Sequence, residues 1–262
     1  ASINVVRAVT GDIVGPIVAT GSQSVPGNIS SVRADQGNIL GDVTSLGGFI
    51  DEVLAPNGSI GSASYIPNIA AKQNIKRVEA RQIWAHIDAL YNGGNSTDSR
   101  IWRVAATNGG FHGTISSRRV DATTVASGQG VFVTGGDLDG DILLTDELKR
   151  PITVSGVLPL GRVVRFSRSR VADAANITLG ALHGDLVVLG NSESQIVVNG
   201  PMTGQLVAGN ILSGPVTVGS AGAPGLSGCI IVNANNNTPP STWTGDVKPA
   251  GAASSPLSPK PY

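Results

Sequence analysis

The stretch ITVSG at residues 152–156 recurs twice in the same half of the chain, as ITLG at 177–180 and as IVVNG at 196–200. A second apolar run follows each copy, and Leu186 in one of these runs corresponds to Leu206 in the next. The offsets between copies are about 25, 19 and 20 residues, which indicates one structural repeat that carries an extra loop in one copy.

Each copy is a strand-like run of about three to five residues that alternates in polarity and ends at Gly or Asn. A strand this short cannot bury its apolar face alone. When copies stack about 4.8 Å apart, their backbones pair and their apolar side chains form one continuous interior. The sequence therefore predicts an all-β fold, a single-stranded parallel β-helix (β-solenoid) with about ten coils. We expect right-handed winding, because connections between parallel strands are nearly always right-handed.

A short motif, Gly-x-Ile or Gly-x-Leu, marks the expected corners of the coils, where Gly and Asn tolerate the positive φ of a sharp bend. It occurs at residues 11–13, 27–29, 37–39, 58–60, 136–138, 184–186 and 209–211. A β-sandwich is the main alternative, but it favours about seven longer strands with turns every 8–12 residues.

The composition supports thin β-layers. The chain has 35 Gly and 15 Pro in 262 residues, and only 4% of its residues are aromatic. So much Gly disfavours a helical bundle, because Gly costs about 1 kcal/mol relative to Ala inside a helix. The 40% hydrophobic content suffices for a core, and its β-branched bias suits short strands.

The charge balance argues against polyanionic partners. Lys and Arg number 18, as do Asp and Glu, so the formal net charge is zero. Neither a nucleic acid nor an anionic membrane surface is favoured. The longest apolar runs, such as 229–232, are far shorter than the roughly 20 residues of a membrane span, so we expect no membrane insertion. Residues 1–8 lack the layout of a signal peptide, so a secreted protein would already have lost it.

Two segments depart from the repeat. Residues 74–91 fit a helical stripe, but they also alternate as strands do, and we favour strands with a short helix as the alternative. The tail is rich in Pro, Ser and Ala, so we predict a solenoid over 1–247 and a linker or tail over 248–262. Residues 243–247 are predicted to form either the last strand or a cap.

The densest acidic cluster is Asp137, Asp139 and Asp141, which alternate along one run and should share an outward face. Such a row predicts either a solvated polar edge or a Ca²⁺ site, because Ca²⁺ prefers oxygen ligands. It is not an EF-hand loop, since Ile142 occupies the position where that loop needs Gly. We expect no other cofactor.

The three histidines, His86, His112 and His183, show no metal-ligand spacing, although stacking of coils could bring distant residues together. The single cysteine, Cys229, precedes the apolar run 230–232 and is predicted to be a small core residue.

Aromatic residues collect in the first half of the chain, near several arginines. An outward aromatic beside Arg can stack on a sugar ring or on a partner surface. The alternative is that these rings cover a loop or pack between neighbours. The candidate contact residues are Tyr65, Trp84, Tyr91 and Trp102.

The Gly-x-Ile motif, the coil length and the alternating runs together resemble secreted right-handed β-helix proteins of bacteria. This class includes pectate lyases, polygalacturonases, tailspikes, adhesin passenger domains and repetitive surface proteins. Pectin-cleaving hydrolases of the class carry Asn-Thr-Asp, Asp-Asp, His-Gly and Arg-x-Lys motifs. Only the His-Gly dipeptides at 112–113 and 183–184 match them here. The resemblance therefore favours the non-enzymatic members.

These observations predict an extracellular protein, secreted or on the cell surface, that acts as a structural or adhesive module. Open solenoid ends expose unpaired strands, so filaments or homo-oligomers formed end to end are an expected form of assembly. The alternatives are a polysaccharide lyase or glycoside hydrolase, which needs paired carboxylates or a carboxylate with Arg or Lys in a groove, and a carbohydrate-binding module, which needs Trp84 or Trp102 exposed. Polysaccharide is the expected ligand in both alternatives.

Overall fold

The computed structural model is a stack of coils joined by parallel strand pairs, as the repeat predicts. It describes residues 1–21, 25–90, 99–121, 128–166, 175–190, 192, 194–209, 214–219, 226–232 and 247–249. These residues form strands, isolated bridges, turns and bends, and no helix. Every strand pair among them is parallel, and the molecule is a β-solenoid of roughly ten coils. Right-handed winding stays a prediction.

Most coils contribute one strand to each of two ladders. Ladder 1 consists of β1 (Ile3–Ala8), β3 (Ile29–Ala34), the start of β5 (Ile50–Ile60), the start of β7 (Ile75–Asp88), β8 (Arg100–Ala106), β11 (Gly130–Val133), β13 (Ile152–Leu158), β15 (Ile177–Leu182), β17 (Ile196–Val198), β19 (Val216–Val218) and β21 (Val247–Pro249). Ladder 2 consists of β2 (Ile17–Ala19), β4 (Val43–Ser45), β6 (Asn68–Ala71), the end of β7, β9 (Phe111–Ser117), β12 (Leu138–Leu144), β14 (Val163–Phe166), β16 (Asp185–Val188), β18 (Gln205–Ala208) and β20 (Cys229–Val232). The short β10 (Arg119–Val120) pairs beside β8.

The registers confirm the alignment that the sequence predicts. Ile177 pairs with Ile152 on one side and with Ile196 on the other. Leu186 pairs with Leu206 in ladder 2. The last described strand, β21, pairs with β19, and of the predicted strand at 243–247 only Val247 is described. Of the tail predicted over 248–262, Lys248 and Pro249 belong to β21, and residues 250–262 lie outside the described residues.

The core is a set of columns in which like residues stack on like. Ile29, Ile50, Ile75 and Ile101 follow one another in ladder 1 and are completely buried. In ladder 2 the equivalent column is Ile69, Ile87, Ile115 and Ile142. Such stacking repeats one side-chain packing arrangement from coil to coil, which suits β-branched residues on a pleated surface.

The segment 74–91 forms a strand, as favoured over a helix. Strand β7 covers Ile75–Asp88, and its buried and exposed residues mostly alternate. Its start pairs with β8 and its end pairs with β9, so one continuous strand contributes to both ladders. The end of this strand, in ladder 2, carries part of the candidate site described below.

The Gly-x-Ile motif has a role for each position. A Cβ at Gly37 would overlap the carbonyl oxygen of Gly11 in the coil before it, so only Gly allows this approach. The middle residue caps the next coil: Asp12 Oδ1 accepts from the Asn38 backbone at 2.7 Å, and Asn38 Oδ1 accepts from the Ser59 backbone at 2.8 Å. The third residue enters the core. The motif therefore forms a corner that joins one coil to the next through a close backbone approach and a hydrogen bond.

Candidate functional site

The acidic row lies on one outward face, as the alternation predicts, because the residues that alternate with it, Leu138, Gly140 and Ile142, are buried. Two of its carboxylates accept hydrogen bonds from the backbone of the next coil. Asp137 Oδ1 accepts from the Val157 backbone and Asp141 Oδ1 accepts from the Val163 backbone, both at 2.8 Å. Asp137 is the middle residue of the Gly-x-Leu motif at 136–138, and it caps the next coil as Asp12 and Asn38 do.

The third carboxylate, Asp139, is bound by the side chains of Arg162 and His112. Its Oδ1 accepts from Arg162 Nε at 2.7 Å, and its Oδ2 lies 3.3 Å from His112 Nδ1. Burial alone would raise the pKa of Asp139, but the hydrogen bonds from Arg162 and His112 and their charges outweigh it, so the pKa lies below its ordinary value. Asp139 is therefore a carboxylate held in its charged form.

The geometry gives the Ca²⁺ prediction for Asp137, Asp139 and Asp141 no support. Each carboxylate has a different partner, and Asp139 is already paired with a guanidinium. Across the part of the chain that the structure describes, no group of three or more His, Cys, Asp and Glu side chains is placed to hold a metal ion.

An aromatic stack lies directly beside Asp139. Trp84 pairs with His112 across β7 and β9, and His112 pairs with Asp139 across β9 and β12. The indole and imidazole planes are 9° apart, with ring centroids 3.7 Å apart. His112 Nε2 also lies 3.4 Å from Gln82 Nε2. Four successive coils therefore contribute an indole, an imidazole, a carboxylate and, through Arg162, a guanidinium to one line.

This line borders a shallow depression of about 220 Å³ on the outside of ladder 2, which we call the lateral depression. The side chains that line it include Trp84, His86, His112, Thr114, Asp139 and Arg162. His112, Asp139 and Arg162 are partly exposed, with 20%, 40% and 42% of their side chains accessible. The groups can therefore meet a ligand that lies along the stack.

The glycine Gly113 also lines the lateral depression. Gly113 lies between His112 and Thr114 with a φ of +133°, a conformation that L side chains rarely adopt. A Cβ at this position would overlap the carbonyl oxygen of Ala85. At the paired position in the next coil, a Cβ at Gly140 would come 3.0 Å from the buried ring of Phe111. The backbone can thus approach closely here only because both residues are glycines.

The structure divides the predicted aromatic contacts between two faces. Trp84 lies in the lateral depression, whereas Trp102 lines a second depression of about 310 Å³ on the outside of ladder 1. There the Lys76 ammonium lies 4.9 Å from the Phe49 ring centroid and 5.3 Å from that of Trp102, and it also pairs with Asp51. The face of Trp102 is already in contact with a cation of the chain itself.

Of the two candidate tyrosines, the structure describes only Tyr65. Tyr65 is exposed, and its hydroxyl donates to Asp42 Oδ1 at 3.2 Å. Partial burial, and then the charge and hydrogen bond of Asp42, raise the pKa of this phenol above its ordinary value. Tyr91 lies outside the described residues, and its contact role stays a prediction.

Two of the three histidines converge, although the sequence spacing does not predict it. His86 and His112 line the same depression because their strands pair, whereas His183 contacts Thr203 elsewhere, with Nδ1 2.6 Å from the hydroxyl oxygen. The prediction that Cys229 is a core residue is wrong, since its side chain is exposed. Cys229 pairs with Gln205, an outward residue, and the inward position belongs to its neighbour Ile230.

Comparison with known proteins gives no assignment: no protein-family model, no curated protein and no solved structure matches the chain. Within the described ranges there is also no helix with the length and apolarity to cross a membrane. The geometry of the chain itself is therefore the basis for proposing a function.

Proposed function

We propose that the chain is an extracellular structural and adhesive module, a rigid solenoid that binds a saccharide in the lateral depression. The observation that carries the proposal is the convergence of Trp84, His112, Asp139 and Arg162 from successive coils. The extracellular location rests on the resemblance to secreted β-helix proteins.

The structural part is supported by the way in which outward charges join neighbouring coils. Glu79 accepts from Arg77 in its own strand and from Arg103 in the next coil. Asp146 accepts from Arg118 at 2.9 Å and from Arg119 at 3.0 Å, and both arginines belong to the preceding coil. Charge-assisted contacts in which one carboxylate is shared by two arginines form small networks, which stabilise more than single surface ion pairs do. The charged surface thus holds the coils in register.

The adhesive part is supported by the chemistry of the lateral depression. A saccharide presents a ring face of C–H groups and a rim of hydroxyl groups. The Trp84 indole is half-buried and one of its faces stacks on His112, so its remaining exposed surface is the apolar surface that can meet the ring face. Its neighbours already hold it, so little conformational entropy is lost on binding. Histidine, carboxylate, guanidinium and threonine groups offer both donors and acceptors for the rim. Few convergent polar groups around an aromatic surface are typical of small-ligand sites.

Affinity electrophoresis in gels that contain a soluble polysaccharide tests the proposal, with a polyuronate and a neutral β-glucan as the two probes. We expect at least one probe to retard the wild-type protein and the variant Trp84→Ala to lose the retardation. Trp102→Ala is the matched control, since it removes the same side chain from the other face and should be retarded like the wild type. Equal retardation of wild type and Trp84→Ala in both gels would overturn the assignment to this depression.

Cleavage of a polysaccharide is a second candidate function, favoured by one observation. Asp139 contacts His112 Nδ1 and so can fix the orientation of the imidazole ring, which is the arrangement of an oriented general base. An assay for new reducing ends, with the same two probes, separates the functions. An adhesive module binds the polysaccharide and produces no new reducing ends. A catalyst produces new reducing ends, and the variant His112→Asn should abolish their formation.

A further inference from the structure

The lateral depression lies between two insertions in the solenoid coil. Two columns of paired residues run through the coils where each coil enters ladder 2, and β7 contributes Ile83 to the first column and Ile87 to the second, four positions later. The same spacing separates Ile13 from Ile17, Ile39 from Val43, Phe111 from Ile115, Leu138 from Ile142, Leu182 from Leu186, Met202 from Leu206 and Leu226 from Ile230. Most described coils therefore make this turn with the same short connection.

Two coils have a longer connection. Ile60 and Ile69 belong to the two columns but are nine positions apart, because an additional loop lies between them. Leu158 and Val164 are six positions apart, because the turn between them is extended. The first of these coils pairs with the end of β7 and the second pairs with β12. The insertions therefore bracket the three short coils of β7, β9 and β12, which carry the lateral depression.

The first insertion, residues 61–67, is a loop closed by hydrogen bonds. The backbone N–H groups of Ser62 and Tyr65 each donate to the carbonyl of the other residue, at 2.8 and 3.1 Å. The Tyr65 hydroxyl donates to Asp42 Oδ1 and so joins the loop to the coil before it. Ile66, which is 39% exposed, lines the lateral depression. The loop therefore presents an apolar side chain at one end of the depression.

The second insertion, residues 159–162, is a tight turn at the other end. The Arg162 backbone donates to the Pro159 carbonyl at 3.2 Å, and the Arg162 side chain lines the depression and donates to Asp139 at 2.7 Å. Leu160, beside the positive-φ Gly161, is 86% exposed, more than any other large apolar side chain that the structure describes. Binding groups are often carried by loops that a rigid scaffold positions. Each end of the depression thus has such a loop.

We propose that the two insertions are end walls, which fix how many sugar rings of a bound saccharide contact the lateral depression. This role rests on the proposed function, saccharide binding in the depression. Trp84, His112 and Asp139 follow one another from coil to coil, so a ligand that meets all three lies along the solenoid axis. Coils are about 4.8 Å apart, so the three coils between the walls accommodate a segment of roughly 14 Å. The remainder of a longer chain leaves the surface over a wall and adds no contact.

Calorimetric titration with oligosaccharides of increasing length tests this limit. The series runs from the disaccharide to the octasaccharide of the probe, polyuronate or β-glucan, that retards the wild-type protein. We expect the affinity to rise until the oligosaccharide fills the span between the walls and then to stay constant within about twofold, because further rings add no contact. An affinity that rises through the whole series would overturn the proposal, since it indicates a groove without ends.

Two deletions remove the walls separately. Deletion of residues 62–66 or of residues 160–161 gives the four-position spacing of the other coils. Beyond the second wall the outward column continues with Asp185 and Gln205, whose side chains can bond sugar hydroxyl groups. The 160–161 deletion should therefore bind the octasaccharide at least about threefold more tightly than the wild type does. The 62–66 deletion should likewise extend the rise in affinity to longer oligosaccharides.

The controls separate the walls from the binding function itself. Trp102→Ala, on the other face, should keep the wild-type plateau, and circular dichroism establishes that each variant is folded. Where a deletion does not fold, the wild-type series decides. If no oligosaccharide binds in a way that Trp84→Ala abolishes, the proposed saccharide function is wrong. If binding depends on Trp84 but the folded deletion variants keep the wild-type plateau, only the role of the insertions as walls is wrong.

Discussion

The indole of Trp84 and the imidazole of His112 are stacked at 3.7 Å although they belong to different coils. The contact depends on the register of β7 and β9, in which these two residues are direct partners. Because His112 also contacts Asp139, any change that shifts β9 by one position would separate the indole, the imidazole and the carboxylate together. The lateral depression is thus a product of strand register.

The variant Gly113→Ala should therefore destabilise the fold and impair the depression. An alanine at a φ of +133° is strained, and its Cβ would overlap the carbonyl oxygen of Ala85. We expect a loss of about 1–3 kcal/mol in the free energy of unfolding, measured by urea denaturation. The stacking of Trp84 on His112 should also weaken, with a changed near-ultraviolet circular dichroism spectrum.

Gly161→Ala is the matched control for this prediction. Gly161 also has a positive φ, of +82°, but a Cβ there would meet nothing within 4 Å. It should lose only the conformational cost, roughly 1 kcal/mol, and keep the wild-type spectrum. If both variants lose the same stability, the close approach of β9 to β7 is not what requires Gly113.

The repeat could be predicted from the sequence because the coils over 152–216 are short and similar, so that Ile177 aligns with Ile196. The convergence of Trp84, His112 and Asp139 could not be predicted in the same way. Between Ile75 and Ile152 the register step varies with the loops, and a residue's partner in the next coil cannot be counted from a fixed period. The side chains that meet are therefore determined by loop length.

The error at Cys229 has a different origin. An apolar run such as 229–232 does not by itself tell which of its residues point inward, since the phase of the alternation is ambiguous. Alignment of Gln205 with Cys229 and of Leu206 with Ile230, which is the register in the structure, resolves the phase. The polar Gln205 was the available signal that this position faces outward.

Removal of the ring of Phe111 should be among the most damaging core changes. Phe111 is completely buried, and a Cβ at Gly140 would already come within 3.0 Å of the ring, so the glycine leaves the space that the ring fills. Phe111→Ala would leave a cavity that glycine neighbours cannot fill, and we expect a loss of about 3–5 kcal/mol. Leu160→Ala, at an exposed site, should change stability by less than about 0.5 kcal/mol.

Thermal and urea unfolding of the two variants measure this difference. A loss below about 1 kcal/mol for Phe111→Ala would mean that the neighbouring coils collapse into the space, which the continuous parallel pairing of β9 with β7 and β12 opposes.

The thiol of Cys229 should react in the folded protein, because its side chain is exposed. We expect a thiol reagent such as dithiobis(nitrobenzoic acid) to modify one group per chain without denaturant, at a rate close to that in urea. Protection of the thiol until the protein unfolds would restore the sequence-based prediction of a core cysteine and contradict the outward position opposite Gln205.

Acid should destabilise the protein through its shared carboxylates, of which Glu79 is the clearest case. Burial alone would raise the pKa of Glu79, but hydrogen bonds from Arg77 and Arg103 and their charges lower it below the ordinary value. A carboxyl with a lowered pKa in the folded state binds fewer protons there than in the unfolded chain. Its contribution is therefore present at neutral pH and is lost as the pH falls below about 4.3 and through the lowered value.

Glu79→Gln separates this contribution from general acid effects. The variant should be less stable than the wild type at about pH 7, because Arg77 and Arg103 lose their shared charged acceptor. The difference in free energy of unfolding should shrink as the pH falls below about 4.3, because the unfolded wild-type chain takes up a proton at this carboxyl before the folded chain does. Asp12→Asn is the control, since Asp12 accepts from the Asn38 backbone and side chain and pairs with no Arg or Lys among the described residues. A wild-type advantage over Glu79→Gln that stays constant from neutral to acid pH would show that the two arginines are held by packing and not by the charge of Glu79.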